Sequence, residues 1–337
     1  MKALVLKNRA RAAAEVLLFI SLLIAAVLIA ADKRYSDTVL SGIMLWAAAV
    51  LPSLFPYFFI TAVLSSLSVT EKLAAKLSPF TRKVFNTGGI TGYAFLMSLI
   101  SGYPLGAKLV ADLKENGLIT RAESVRAAAF CSTSSPMFMI SSVGGIMFKS
   151  AEFGLCLFLC HLLSAFAVGF IFSFYKRGEH PKACPPGGAP AGRADPGKNT
   201  DGIMFEAAFS AVFSVLKVGG LITLFYLFTE ILYNIGVLSA PVRLITLIAG
   251  DENAAKGIIF GLFECTKGLK WLSSCGANAF TLSAAAGICG FGGLSVIFQS
   301  LACLKKAQIP SAPFFAAKAL ACAVNVLVAV PAGIIFL

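Results

Sequence analysis

The sequence predicts an all-α polytopic membrane protein, built as an inverted structural repeat with two re-entrant helical hairpins and broken helices at the midplane. Three observations predict it. Of 337 residues, 58% are hydrophobic and 13% charged, with a mean hydropathy of +0.85, too apolar for a water-soluble chain of this length. The apolar runs are long and continuous, unlike the ten-residue alternations of an outer-membrane barrel. Two apolar segments are broken in the middle: residues 95–113, FLMSLISGYPLGAKLVADL, and residues 284–300, AAAGICGFGGLSVIFQS. A bilayer offers no water to free backbone groups, so broken backbone at membrane depth survives only inside protein or along a wet cavity. A break in each half of a membrane protein is the pattern of a substrate site made from half-helices.

Composition also sorts the partners. The net charge is +12, but Lys and Arg sit in loops beside the apolar runs, where the positive-inside rule puts them. The expected partner is therefore the lipid bilayer and not nucleic acid. The nine cysteines form no CxxC pair and fall mostly in apolar runs, as small packing residues do. No Walker loop, HExxH, GxSxG or zinc spacing occurs. The chain is accordingly read as a non-enzyme with no catalytic residue, no metal and no cofactor, a coupling proton or sodium ion excepted.

Taken in order, residues 1–38 read as an N-terminal helix. Their apolar stretch, 16–31, imitates a signal peptide, but Asp32-Lys33-Arg34 follows without a cleavage site, so the helix is expected to be retained. Residues 39–175 form the first repeat. In it, 39–67 carries Pro52 and Pro56, which should kink or divide it. Residues 71–85 alternate basic and apolar like an interfacial helix, 88–113 form the first hairpin, 127–148 are interrupted by STSSP, and 153–175 are an ordinary span. Residues 176–201, rich in Pro, Gly and charge, are a flexible cytosolic linker. Residues 202–337 form the second repeat: a long run 203–237 with a bend expected at Gly219-Gly220, a short segment 240–249, a hairpin region 254–282, the second broken segment, and a last span 313–336. The two halves agree in layout and hardly at all in residues. The Lys and Arg distribution puts the N-terminus and linker in the cytosol and the C-terminus on the opposite side, provided both hairpins are re-entrant.

Four constellations carry the candidate site. In Ser101-Gly102-Tyr103-Pro104-Leu105-Gly106-Ala107-Lys108, Pro104 stops the helix and Gly102 and Gly106 permit a tight turn. A half-helix starting near Leu105 would offer free N–H groups to an anion, with Lys108 adding charge. The plain alternative is a surface corner with Lys108 snorkelling to water. In Ser132-Thr133-Ser134-Ser135-Pro136, hydroxyls before a proline suit an unwound segment, although Ser and Thr also glue helices together. In Gly261-Leu262-Phe263-Glu264-Cys265-Thr266-Lys267-Gly268, a Glu within an apolar run marks function. It is expected to carry a coupling proton or to pair with Lys267 or Lys108, and a structural ion pair is the competing reading. In Gly290-Phe291-Gly292-Gly293-Leu294-Ser295, glycines expose backbone, while Ser295 and Gln299 offer hydrogen bonds; close helix packing is the alternative. His161 reads as a packed histidine, and Glu230 as a weaker case of a membrane carboxylate.

These four motifs, in this order, resemble the sporulation integral membrane protein family of the YlbJ type. That family is similar in layout to the Gate, or nucleoside-recognition, domain superfamily and to concentrative nucleoside transporters. The STSSP segment departs from the family pattern, which has asparagines near Ser132 and Ser134. The resemblance implies a transporter of a small planar anion, dipicolinic acid, across the outer forespore membrane of an endospore former. It leaves two other expectations open: ion-coupled nucleoside transport, or a non-transporting scaffold or partner subunit. Association into a homo-oligomer is a further expectation from such relatives.

Overall fold

The computed structural model describes residues 32–66, 69–179, 181 and 200–337. The helix read within residues 1–31, and most of the 176–201 linker, lie outside the described residues. Among the described residues every regular element is helical.

The first described helix is α1 (Lys33–Leu45), started by the Asp32 carboxylate accepting the Arg34 N–H at 2.9 Å. It passes through a π-helical turn, Trp46–Val50, and continues as α2 (Leu51–Ser66). Pro52 has no N–H to give, and its ring crowds the carbonyl four residues back, so the ladder widens just ahead of it. Beside this turn the Ala49 carbonyl accepts from the Ser53 hydroxyl at 3.3 Å and from the Ser142 hydroxyl. The prolines thus change the ladder without dividing the helix.

The rest of the first half is α3 (Val69–Phe85), α4 (Gly89–Ser101), α5 (Leu105–Glu115), α6 (Arg121–Phe130), the π-helical segment Phe138–Met147, and α7 (Ala151–Phe172). The second half is α8 (Thr200–Asn234), α9 (Ser239–Ala249), α10 (Glu252–Phe263), α11 (Cys265–Ser273), α12 (Ala279–Phe291), α13 (Gly293–Lys306) and α14 (Ser311–Phe336). Several loop-side starts are fixed by side-chain caps: a Thr120–Glu123 capping box on α6, Ser150 on α7, Asp251 on α10 and an Asn278–Thr281 box on α12. Each cap satisfies N–H groups that the helix cannot satisfy itself.

Among the described residues, five helical stretches are long and apolar enough to cross a membrane: Lys33–Ser65, Ala151–Phe172, Asp201–Asn234, Ala279–Lys306 and Ser311–Phe336. Large apolar side chains such as Phe205, Leu327 and Ile334 face outward from them, a surface suited to lipid. The architecture is that of an all-α polytopic membrane protein.

Helix packing follows a regular scheme. Helices α2 and α8 pack on each other, as do α7 and α14. Helix α6 packs on α14 and α12 on α7; α5 packs on α13 and α11 on Phe138–Met147. Helices α10 and α11 fold back antiparallel, because Gly261 lies against Gly268 and Gly257 against Leu272. With 12 and 9 residues, they rise only roughly 18 and 14 Å, short of a hydrocarbon core of about 30 Å.

The bend expected at Gly219-Gly220 is corrected. Helix α8 runs through both glycines without interruption. Gly219 is a contact residue: a Cβ there would lie 2.4 Å from the Trp46 ring, whereas Gly220 faces open space. Gly219→Ala should therefore destabilise the protein by about 1–3 kcal/mol through overpacking. Gly220→Ala should be neutral or stabilise it by about 0.5–1 kcal/mol, since it removes only a mid-helix glycine. Unfolding of the two variants in detergent, side by side, checks the contrast.

Candidate functional site

Four interruptions converge in the interior. They are residues 102–104 between α4 and α5, residues 131–136 after α6, Glu264 between α10 and α11, and Gly292 between α12 and α13. Gly102 and Gly292 have φ of +75° and +85°, the left-handed region that glycine tolerates. Between the breaks lies a cavity of about 50 Å³. The first half contributes Gly102, Tyr103, Ser134 and Ser135 to its wall, and the second half Glu264, Cys265, Thr266, Ser295 and Gln299. A volume of this size holds a few waters and no larger guest. The breaks touch closely: a Cβ on Gly102 would sit 2.9 Å from the Ser135 nitrogen, and one on Gly293 would sit 3.0 Å from the Cys265 nitrogen.

In the first motif, Ser101 is bonded to the Thr61 hydroxyl and donates to the Tyr57 carbonyl at 3.1 Å. Tyr103 donates its phenol to the Cys289 carbonyl at 2.7 Å, which ties the first tip to α12. Pro104 follows a cis peptide bond. Gly106 lies so close to the Cys131 carbonyl that no side chain fits there. Lys108 is placed differently from the sequence expectation. It is exposed and lines a second, larger cavity of about 630 Å³, together with Asp112, Glu115, Glu206, Lys217 and Lys306. One helical turn beyond Leu105 carries its side chain away from the tip. Val218 and Gln299 line both cavities, so the two adjoin, and the larger is termed the vestibule.

The STSSP segment is unwound, and its backbone groups are met by side chains. The Ser132 carbonyl accepts from Lys318 Nζ at 3.2 Å. Thr133 bonds Ser98, hydroxyl to hydroxyl, at 2.8 Å. The Ser134 N–H donates to His161 Nε2 at 3.0 Å, and the Ser135 hydroxyl accepts the Phe138 N–H at 3.2 Å.

In the third motif, Glu264 pairs with neither Lys108 nor Lys267. Its carboxylate caps α11, accepting the Thr266 hydroxyl and, at 2.6 Å, the Lys267 N–H. The positive end of α11 compensates the buried charge. Lys267 points the other way. Its ammonium lies 2.8 Å from Glu230, 3.0 Å from the Thr229 hydroxyl and 3.1 Å from the Tyr226 carbonyl. The rings of Tyr226 and Phe260 flank it at 4.4 and 4.5 Å. The structural ion pair read for Glu264 is thus not formed; Lys267 pairs with Glu230 instead.

In the fourth motif, Gly293 and Ser295 are buried at the start of α13, and Gln299 faces both cavities. Helix α13 begins without a side-chain cap. Among the described residues the Ser295 hydroxyl is fully buried and meets no hydrogen-bond partner.

Sequence reasoning missed two residues, Lys318 and Asn325, both buried on α14. Lys318 sits 4.6 Å over the Tyr103 ring and 3.4 Å from its hydroxyl. Asn325 donates to the Ala321 carbonyl at 2.8 Å and lies within reach of the His161 ring. Lys318 did leave a signal, a lysine inside the apolar run 313–336. Its place near the start of the run hides it, since lysines there ordinarily snorkel to the interface. His161, read as a packing residue, braces the unwound segment.

Fold and site together define a helical membrane protein with a small interior cavity between broken helices. The chain belongs to the YlbJ family of sporulation integral membrane proteins. It is 31% identical over 297 residues to the sporulation integral membrane protein YlbJ of Bacillus subtilis (strain 168), covering 83% of this chain and 73% of the relative. No protein-family model matches the chain, and no solved structure does.

The Lys267–Glu230 pair yields a stability prediction. Lys267→Met should cost about 3–5 kcal/mol, because it leaves Glu230 without its ammonium. The double variant Lys267→Met/Glu230→Leu should recover most of that loss. A double-mutant cycle of detergent unfolding measures both, and an additive result would show that the pair is not coupled.

Proposed function

We propose that this protein is a membrane transporter acting in sporulation, and that its cargo is a small planar anion of the dipicolinate type. One observation carries the reading: the tips of two broken-helix systems, one from each half, meet around a small cavity that adjoins a larger vestibule. Half-helices meeting at membrane depth around a polar site are how secondary transporters present backbone dipoles to a solute. The vestibule, of about 630 Å³, is within the range of small-molecule sites. The tip cavity, of about 50 Å³, would have to widen to admit a pyridine dicarboxylate.

The packing scheme supports an inverted repeat. Exchanging α2 with α8, α5 with α11, α6 with α12, Phe138–Met147 with α13, and α7 with α14 maps the contacts onto one another. The antiparallel turn of α10 on α11 favours re-entry from one face over two full crossings. The positive-inside rule, applied to Lys114, Arg121, Lys305 and Lys306, favours a cytosolic mouth for the vestibule. A mother-cell protein of this orientation in the outer forespore membrane would load its cargo from the mother-cell side. Glu264, held at the cavity wall, is the residue proposed for a coupling proton or sodium ion.

Reconstitution tests the proposal. Liposomes carrying the full chain should accumulate labelled dipicolinate and leave labelled uridine outside. Glu264→Ala, which removes the α11 cap, should abolish most of the flux; Lys108→Ala, in the vestibule, should lower it mainly at low salt, as a steering charge does. Uridine uptake without dipicolinate uptake would replace the cargo with a nucleoside. If neither moves, the transporter reading fails and a scaffold role takes its place.

A further inference from the structure

Three charged side chains are buried around the breaks: Glu264, Lys267 and Lys318, each about 1% exposed. Two are compensated. Glu264 faces the start of α11, and Lys267 is paired with Glu230. Lys318 is different. Its ammonium touches a carbonyl, that of Ser132, and the phenol and ring of Tyr103. Among the described residues no carboxylate pairs with it. Burying an ammonium in an apolar interior without an opposite charge is strongly unfavourable, and an anion delivered to it would recover that loss.

The surroundings are shaped for such a visitor. Gly292 stands beside the ammonium: a Cβ there would lie 3.6 Å from Nζ, so glycine leaves this approach open. Immediately beyond Gly292, α13 starts without a side-chain cap, and its first N–H groups have no partner in their own helix. Two buried hydroxyls, Ser295 on α13 and Ser132 beside Lys318, have no hydrogen-bond partner among the described residues. Tyr103 lies between Lys318 and the tip cavity, which it also lines.

We infer that Lys318 is the carboxylate receptor of the site, covered by Tyr103 in this arrangement and uncovered when the first tip moves. The anion takes the place of the Tyr103 phenol on the ammonium, the Ser295 hydroxyl adds a second donor, and the start of α13 adds its dipole. The cargo class follows from the chemistry: a carboxylate on a flat ring, which slides against Tyr103 as the phenol withdraws. This deepens the transporter reading and rests on it.

The experiment is equilibrium binding of labelled dipicolinate to the full chain in lipid nanodiscs. The competitors are unlabelled dipicolinate, phthalate, and pyridine-2,6-dicarboxamide, which has the same outline and no charge. The two carboxylates should compete and the diamide should not. Lys318→Met should weaken binding on the order of 100-fold, as loss of a buried charge partner does, and Lys318→Arg should retain part of it. Binding by Lys318→Met within threefold of the wild type, roughly 0.6 kcal/mol, would overturn the assignment while leaving transport intact. Phthalate binding that is lost in Lys318→Met would uphold the assignment and change only the cargo. A wild-type chain that binds neither carboxylate sinks both ideas. Should Lys318→Met fail to fold, amidination of wild-type lysines with methyl acetimidate, read by peptide mass spectrometry, decides the matter. Dipicolinate should slow modification of Lys318 and leave Lys305 unchanged; equal rates at Lys318 with and without dipicolinate refute the assignment.

Discussion

The constraint on which the structure depends is the demand of interrupted backbone for partners where water is scarce. Each interruption frees N–H and carbonyl groups, and an unmet group in an apolar interior is costly. The chain answers from neighbouring elements. Ser98 donates to the Cys131 carbonyl, Lys318 to that of Ser132 and Tyr103 to that of Cys289, while His161 accepts the Ser134 N–H and Glu264 that of Lys267. Most of these bonds run between elements distant in sequence. The polar interior is therefore a scaffold first, and two of these side chains, Tyr103 and Glu264, also line the cavity.

Glycine makes those bonds possible by letting the breaks approach one another. Gly106 abuts the Cys131 carbonyl, Gly268 abuts Gly261, and Gly290 abuts the Ala321 carbonyl, each closer than any side chain allows. The contacts join α5 to the STSSP segment, α11 to α10, and α12 to α14. Small residues in membrane helices commonly serve close packing, and here the close packing is what carries donors to acceptors. Packing and site formation are one event in this interior.

The sequence made much of this legible because breaks are written in distinctive residues. Gly-Tyr-Pro, Ser-Thr-Ser-Ser-Pro and Gly-Phe-Gly-Gly stand out inside apolar runs, and each marks a real interruption. The partners of the breaks were less visible. Lys267 sits three residues from Glu264, which invites pairing, but the three-residue step that lets Glu264 cap α11 is taken up by the Lys267 N–H, and the ammonium leaves toward α8. Lys108 sits beside a helix start in sequence, yet one turn of α5 carries it into the vestibule. A glycine pair suggested a bend in α8, whereas only the position of Trp46 reveals that Gly219 is a contact. Spacing along a chain predicts what a residue does to its own helix far better than what it meets across the interior.

The distribution of charge then separates structure from work. A compensated buried charge holds elements in place and has little left to offer an anionic solute. Glu264 with the α11 start, and Lys267 with Glu230, lie on the two sides of the second hairpin and fix its tip. Lys318 holds the first tip with neutral partners only, a weaker grip than an ion pair gives. The two tips are thus fastened unequally. A carboxylate competes well with a phenol for an ammonium and has no comparable advantage against Glu230. On the proposed transporter reading, an arriving anion would therefore loosen Tyr103 and leave the second hairpin seated, which makes the first tip the movable one.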